Sequence, residues 1–115
     1  MKKRLLQITA GAILLATAAP AFALQCLGTL TNVYLNDAGA VIILPSYAPS
    51  YTQICNIKTD WKGISKDICW GWFSQANNAV VESRQFRVSY QDTSATCGTL
   101  PAYSNAPAPY YIMLY

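Results

Sequence analysis

The chain has 115 residues, of which 53% are hydrophobic and 11% are charged, and its formal net charge is +3. Lys2, Lys3 and Arg4 supply three of the eight basic residues, so the part after residue 23 keeps five basic residues against five acidic ones and is neutral. Because a neutral surface cannot compensate a phosphate backbone with clustered Lys and Arg, we expect no nucleic-acid partner.

Residues 1–23 have the pattern of a secretory signal peptide. A basic head is followed by an apolar stretch over residues 5–19, and Ala21, Phe22 and Ala23 form a small-x-small cleavage site. Cleavage after Ala23 would leave residues 24–115, enough for one small domain, secreted or periplasmic. The apolar stretch is too short for a membrane anchor and no other stretch is long enough, so we expect no membrane insertion. Lipidation at Cys26 would need Leu at position 23 and a small residue at position 25, where the chain has Ala23 and Gln25.

All four cysteines follow the predicted leader, and an even number in an exported chain of this size predicts two disulfides. Four cysteines allow three pairings. We favour Cys55 with Cys69 and Cys26 with Cys97, because the first bond closes a short loop and the second ties the start of the domain to a late segment. The sequence has no histidine and no CxxC pair, so we expect no metal site.

The first strands are indicated by composition and turn residues. Residues 27–35 are rich in Thr, Val and Tyr, which predicts a strand. Asn36, Asp37 and Gly39 supply turn chemistry before the apolar run at residues 41–44, so these two strands should form a hairpin. Pro45 and Pro49 end the second strand, and a third strand is predicted at about residues 51–57.

After residue 63 apolar residues recur at helical spacing, which predicts a helix with one stripe facing the core. The stripe consists of Ile68, Trp72, Phe73, Ala76 and Val80. Ser65 is the predicted N-cap, and Asp67 in the first turn complements the helix dipole.

The last part of the chain predicts two more strands. Residues 85–90 alternate polar and apolar, which places Phe86, Val88 and Tyr90 on a buried face. Residues 100–109 contain three prolines and predict an extended connection, and residues 110–115 predict the final strand. Residues 111–115 are similar to the terminal strand of an outer-membrane barrel, but a helix and four cysteines have no place in such a barrel.

The fold is therefore expected to be mostly β with one helix, in the order β-β-β-α-β-β, which is the order of the OB-fold. A short exported chain with this order, Cys55 ending the third strand, Cys69 at the helix start and Val88, Ser89 and Tyr90 in the next strand resembles the B subunits of pentameric AB-type bacterial toxins. The subtilase-cytotoxin and pertussis-like branches are the nearest. The resemblance covers most of residues 24–115 in pattern. It implies a small OB-fold-like five-stranded barrel, stapled by two disulfides and assembled as a homo-oligomer.

Four aromatic residues fall outside the predicted core faces. Trp61 lies in a loop, Trp70 is off the helix stripe, and Tyr47 and Tyr51 flank a proline-containing loop. Aromatic side chains with a polar edge recur at binding surfaces, and beside neutral polar residues they suit an uncharged or sugar-like ligand. We predict that these four contact a glycan or a cell-surface receptor. The alternative is local packing, with Trp61 over the Cys55–Cys69 loop and Trp70 against a neighbouring subunit.

Without histidine, neither a Ser-His-Asp nor a Cys-His arrangement can form, so we expect no enzyme activity and no cofactor. Asp37, Asp60 and Asp67 fall in a predicted turn, a loop and a helix start, which does not favour a pair of catalytic carboxylates. Two functions remain. The first is an exported, oligomeric binding subunit with aromatic contact loops. The second is a periplasmic protein-interaction module, an inhibitor or assembly factor, that uses a strand edge or the proline-rich segment.

Overall fold

The computed structural model describes residues 22–115, apart from the side chains of Phe22 and Asp92. The predicted signal peptide thus lies, except for its last two residues, outside the described residues. Five strands and one helix follow in the predicted order. They are β1 (Phe22–Leu35), β2 (Ala40–Pro45), β3 (Thr52–Asn56), α1 (Lys66–Val81), β4 (Gln85–Thr93) and β5 (Pro109–Leu114).

All neighbouring strands of the sheet are antiparallel, and their order is β3-β2-β1-β4-β5. The central strand, β1, begins five residues earlier than the sequence predicts, and it serves two partners. Its first part pairs with β4, from Phe22 opposite Thr93 to Thr29 opposite Gln85. Its second part pairs with β2, and a register shift separates Leu30 from Asn32. One long strand therefore joins the two halves of the sheet.

The turn between β1 and β2 has the predicted chemistry. The Asn36 side-chain oxygen accepts hydrogen bonds from the backbone N–H groups of Ala38, at 3.1 Å, and Ala40, at 2.9 Å. Gly39 has a φ of +91°, where an L side chain would be strained, and a Cβ there would lie 2.7 Å from the Asn56 side-chain oxygen. Only glycine fits this position.

A short parallel bridge joins β3, at one edge of the sheet, to the segment that precedes β5, the strand at the other edge. The Gln53 N–H donates to the Tyr103 carbonyl at 3.1 Å, and the Tyr103 N–H donates to the Tyr51 carbonyl at 2.8 Å. This makes an isolated parallel bridge between Thr52, in β3, and Tyr103, in the segment before β5. The loop after β4 is thereby fastened to the opposite edge of the sheet.

The core lies between the sheet and α1. Phe86, Val88 and Tyr90 are fully buried, which confirms the predicted inner face of β4. On the helix, Ala76 is buried, and Trp72, Phe73 and Val80 are partly buried against the core, as predicted. The N-cap prediction is also confirmed, since the Ser65 hydroxyl accepts the Asp67 N–H at 3.1 Å.

The prediction that Ile68 faces the core is wrong, because its side chain is 53% exposed. The buried positions of α1 are Cys69, Ala76 and Ala79. Cys69 is bonded to Cys55 of β3, which turns that side of the helix toward the sheet. Ala79 lies only about 20° from Ile68 around the helix axis and is fully buried, so the helix is not rotated away from the predicted face. Ile68 is exposed because it lies in the first turn of α1.

Both predicted disulfides are confirmed, Cys26–Cys97 and Cys55–Cys69, each with Cα atoms 5.6 Å apart. All four cysteines are therefore paired. The first bond links β1 to the 3₁₀ turn at Cys97–Thr99, and the second links β3 to α1. Among the described residues, no helix is both long and apolar enough to cross a membrane.

Candidate functional site

Three tyrosine rings from distant parts of the chain meet at the surface. The Tyr51 and Tyr103 rings are stacked, with centroids 6.0 Å apart and planes 16° apart. Tyr34 meets Tyr51 edge-on, with centroids 5.5 Å apart and planes at 70°. Tyr34 is 36% exposed and Tyr103 is 46% exposed. We call these three residues the tyrosine cluster.

Each ring of the cluster is held by a different element. Tyr34 lies near the end of β1, where it pairs with Ile42, and Tyr51 directly precedes β3. Tyr103 lies in the connection from β4 to β5, where its N–H and carbonyl are both bonded to the β3 segment. Tyr103 has a φ of +52°, which is uncommon for a residue other than glycine. The backbone bonds hold it in this conformation, in which its ring stacks on Tyr51.

Lys62 also holds the connection from β4 to β5 in place. Its Nζ donates to the carbonyls of Ser104 at 2.8 Å and Ala106 at 2.7 Å. Lys62 sits in a tight turn in which Trp61 and Ile64 exchange backbone hydrogen bonds of 3.0 and 2.8 Å. The segment that carries Tyr103 is therefore anchored on one side by β3 and on the other by Lys62.

The cluster is polar at its edges and carries no formal charge on its side chains. The Asn32 amide donates to the Tyr51 hydroxyl at 3.3 Å. Partial desolvation raises the pKa of Tyr34, and the neighbouring phenols of Tyr103 and Tyr51 raise it further. Tyr34 is therefore neutral at physiological pH, since an ordinary phenol ionises only near pH 10. This surface offers flat apolar faces rimmed by hydroxyl and amide groups.

Of the four residues predicted from the sequence, Tyr51 lies in this cluster. Tyr47 is half-buried and packs against the core. Its ring lies so close to Gly28 that a Cβ there would be 3.0 Å from it. Burial raises the pKa of Tyr47, and the neighbouring phenol of Tyr90 raises it further. The Tyr47 hydroxyl is buried without a hydrogen-bond partner among the described residues, and the ligand-binding role of Tyr47 stays a prediction.

The two tryptophans lie in separate environments. Trp61 is partly buried, packs against the core, and has the Lys62 ammonium 4.8 Å from its ring centroid. Trp70 is 54% exposed on α1, as its position off the predicted stripe suggests. Its ligand-binding role and that of Trp61 stay predictions.

Sequence reasoning missed Tyr34 and Tyr103. Tyr34 looked like an ordinary strand residue, and Tyr103 lay in a segment interpreted as an extended connection. The available signal was a tyrosine within a proline-containing loop, where a large aromatic side chain has no periodic core position to fill. The proximity of Tyr103 to Tyr51 depends on the parallel bridge to β3, which no local sequence pattern indicates.

Within residues 22–115, with the Asp92 side chain set aside, no three His, Cys, Asp or Glu side chains are grouped to hold a metal ion. Comparison with known proteins found no match to the chain among family models, curated proteins or solved structures.

Proposed function

We propose that this protein is an exported carbohydrate-binding protein and that the tyrosine cluster contacts the sugar. The observation that supports this most is the meeting of Tyr34, Tyr51 and Tyr103, two of them more than one-third exposed, beside the amide of Asn32. Large aromatic rings left at a surface and locked by backbone contacts are typical of binding sites, because little side-chain entropy is lost when a ligand binds.

A neutral sugar matches this surface chemically. One face of a pyranose ring carries several C–H groups and packs against an aromatic ring, while its hydroxyls need donors and acceptors at the edge. The phenol hydroxyls and the Asn32 amide supply both kinds of group. The side chains of the cluster carry no charge that would favour a charged ligand over a neutral one.

We further propose an OB-like arrangement of the strands. Its support is the strand order with α1 between β3 and β4, the long β1 shared by β2 and β4, and the parallel bridge from Thr52 to Tyr103. OB-folds bind oligosaccharides on the face of strands 2 and 3 and through the loops after strands 1 and 4. Tyr103 lies in the loop after β4, Tyr34 lies one residue before the end of β1, and Tyr51 directly precedes β3.

Export and self-association complete the proposal. Two disulfides are consistent with an oxidising compartment, and the leader pattern gives a route to it. A single shallow sugar site binds weakly, and joining several sites in one homo-oligomer raises the avidity for a glycan-bearing surface. The mass of the exported protein in solution tests this, since a toxin-like binding subunit should be an oligomer and a monomer would contradict that part of the proposal.

The decisive experiment compares substitutions at matched surface tyrosines on a glycan array. Tyr103→Asn removes the stacked ring while keeping a residue that tolerates positive φ. We expect it to abolish glycan retention without unfolding the protein. Tyr115→Asn is the matched control, because Tyr115 is equally exposed, at 46%, but its ring lies 5.1 Å from the Arg87 guanidinium, outside the tyrosine cluster. Retention that survives in Tyr103→Asn, or is lost equally in both variants, would contradict the site.

The alternative function, a protein-interaction module, has less support if the proline-rich segment is the contact surface. Ala106 and Pro109 are buried, and the carbonyls of Ser104 and Ala106 accept hydrogen bonds from Lys62. Residues 100–109 are therefore part of the fold rather than a free recognition segment. A strand edge is left as the surface such a module would use.

A further inference from the structure

A pocket of about 450 Å³ opens beside the N-terminal half of α1. Its walls come from the turn at residues 61–64, the first turns of α1, the end of β4 and the start of β5. The side chains that matter for its chemistry are those of Lys62, Ile64, Ile68, Trp72, Gln91 and Tyr110. This volume is within the usual range for small-molecule sites, about 300 to 1,000 Å³.

Most of the residues that line the pocket are apolar, although its exposed surface is partly polar, and two of the large apolar side chains are exposed. Trp72 and Ile64 pack against the core and form the inner wall. Ile68 and Tyr110 stand at 53% and 61% exposure and line the same pocket. Exposing two large apolar side chains next to each other has a hydrophobic cost that the fold does not recover. A ligand ring seated between them would remove that surface from water.

Lys62 gives the pocket a positive charge. Among the described lining residues it is the one that carries a formal charge. Its ammonium has three N–H donors, and the carbonyls of Ser104 and Ala106 use two of them. The same nitrogen lies 4.8 Å from the centroid of the Trp61 ring, and the two carbonyl bonds hold it in place before a ligand arrives.

We propose that this pocket binds a small aromatic carboxylate, with the ring against Trp72, Ile68 and Tyr110 and the carboxylate on the Lys62 ammonium. The apolar wall selects the ring, and the lone positive charge selects an anion over a neutral or cationic analogue. This site is separate from the tyrosine cluster, so either assignment can fail without the other.

The test compares two probes of nearly the same shape, indole-3-acetate and indole-3-acetamide, by titration calorimetry at low ionic strength. We expect the acid to bind about tenfold more tightly than the amide, as one additional charge-assisted hydrogen bond implies. Equal affinity for the two probes overturns the carboxylate assignment, and binding of neither overturns the pocket.

Substitutions of pocket residues test whether the two probes bind there. Lys62→Met should bring the affinity for the acid down to that for the amide, whereas Lys62→Arg should keep the preference. Ile68→Ser should weaken both probes, whereas Val81→Ser, another exposed aliphatic on α1, should weaken neither. If Lys62→Met disturbs the turn and does not fold, two other measurements still test the proposal. They are the ratio of the affinities of Lys62→Arg for the acid and the amide, and the loss of affinity in Ile68→Ser. Unchanged binding by Ile68→Ser overturns the proposal.

Discussion

The Tyr103 ring stacks on the Tyr51 ring at 6.0 Å between centroids, and the Tyr103 N–H donates to the Tyr51 carbonyl at 2.8 Å. Backbone and side chain thus fix the same pair. The backbone bonds fix the position of the Tyr103 Cα beside Tyr51, and the stacking of the two rings forms the surface before a ligand binds. Preorganisation of this kind lowers the entropic cost of binding.

The contact between Tyr34 and Tyr103 predicts a shift in the titration of Tyr34. Desolvation and the neighbouring phenols of Tyr103 and Tyr51 raise the pKa of Tyr34. Tyr103→Phe removes one of these phenols, so the pKa of Tyr34 should fall toward its ordinary value of about 10. Tyrosine-ring carbon chemical shifts followed against pH measure this, and Tyr115→Phe is the control. An unchanged Tyr34 titration would show that the two phenols do not interact in solution.

The exposure of Ile68 and the burial of Ala76 predict different effects at these two positions of α1. Ile68→Lys places a charge on an exposed site and should change the free energy of unfolding by no more than about 0.5 kcal/mol. Ala76→Leu adds volume at a fully buried site and should destabilise by about 1 to 3 kcal/mol. Urea unfolding of both variants measures the difference. If Ile68→Lys were the more damaging, Ile68 would be packed against the core, as the apolar spacing predicts.

The helix also shows which parts of the fold the sequence could predict. Ser65, the turn at Gly39 and the inner face of β4 depend on neighbouring residues, and local patterns were sufficient for them. The exposure of Ile68 depends on how far the core extends along α1, and periodicity around the helix axis carries no information about that. The burial of Cys69 depends on its bond to Cys55 of β3, which the helical pattern does not contain.

The candidate site was harder to predict for a related reason. Tyr51 could be identified because it stands beside a loop with no apolar period. Tyr34 and Tyr103 become its neighbours only through the pairing of β1 with β2 and the bridge from Thr52 to Tyr103. These contacts join residues far apart in the chain, and a single sequence gives no local signal for them.

Phe86 should be among the most sensitive core positions, because its side chain is fully buried. Phe86→Ala removes most of a ring from a packed interior and should destabilise by about 3 to 5 kcal/mol. Leu27, on the neighbouring strand, is 47% exposed and provides the control, since Leu27→Ala should cost less than about 1 kcal/mol. Thermal or urea unfolding distinguishes them. Similar losses of stability at Phe86 and Leu27 would show that the buried face of the sheet is assigned incorrectly.

The Cys26–Cys97 bond should be a main source of stability, since it closes a loop of 71 residues in the unfolded chain. Replacing both cysteines by Ala should lower the free energy of unfolding by about 4 kcal/mol in the chain-entropy model. A domain of this size has roughly 5 to 15 kcal/mol in total. Urea titration of the double variant measures the loss. A loss below 1 kcal/mol would mean that the unfolded chain is already compact near these residues.

Alkaline pH should unfold the protein through two buried phenols. Burial raises the pKa of Tyr90, and burial together with the phenol of Tyr90 raises the pKa of Tyr47. In the unfolded chain both groups ionise near pH 10. Because the folded-state pKa values are the higher ones, the contribution of these phenols to stability is complete below about pH 10 and is lost as pH rises above it.

The double variant Tyr47→Phe, Tyr90→Phe should therefore keep its fold to a higher pH than the wild type. Neither hydroxyl has a hydrogen-bond partner among the described residues, so at neutral pH the variant should be as stable as the wild type or more stable by about 1 kcal/mol. Far-ultraviolet circular dichroism between about pH 8 and 12 measures the midpoint of alkaline unfolding. Tyr110→Phe is the control, because Tyr110 is exposed. If the double variant unfolded at the same pH as the wild type, other groups would control alkaline unfolding, and the buried phenols would not.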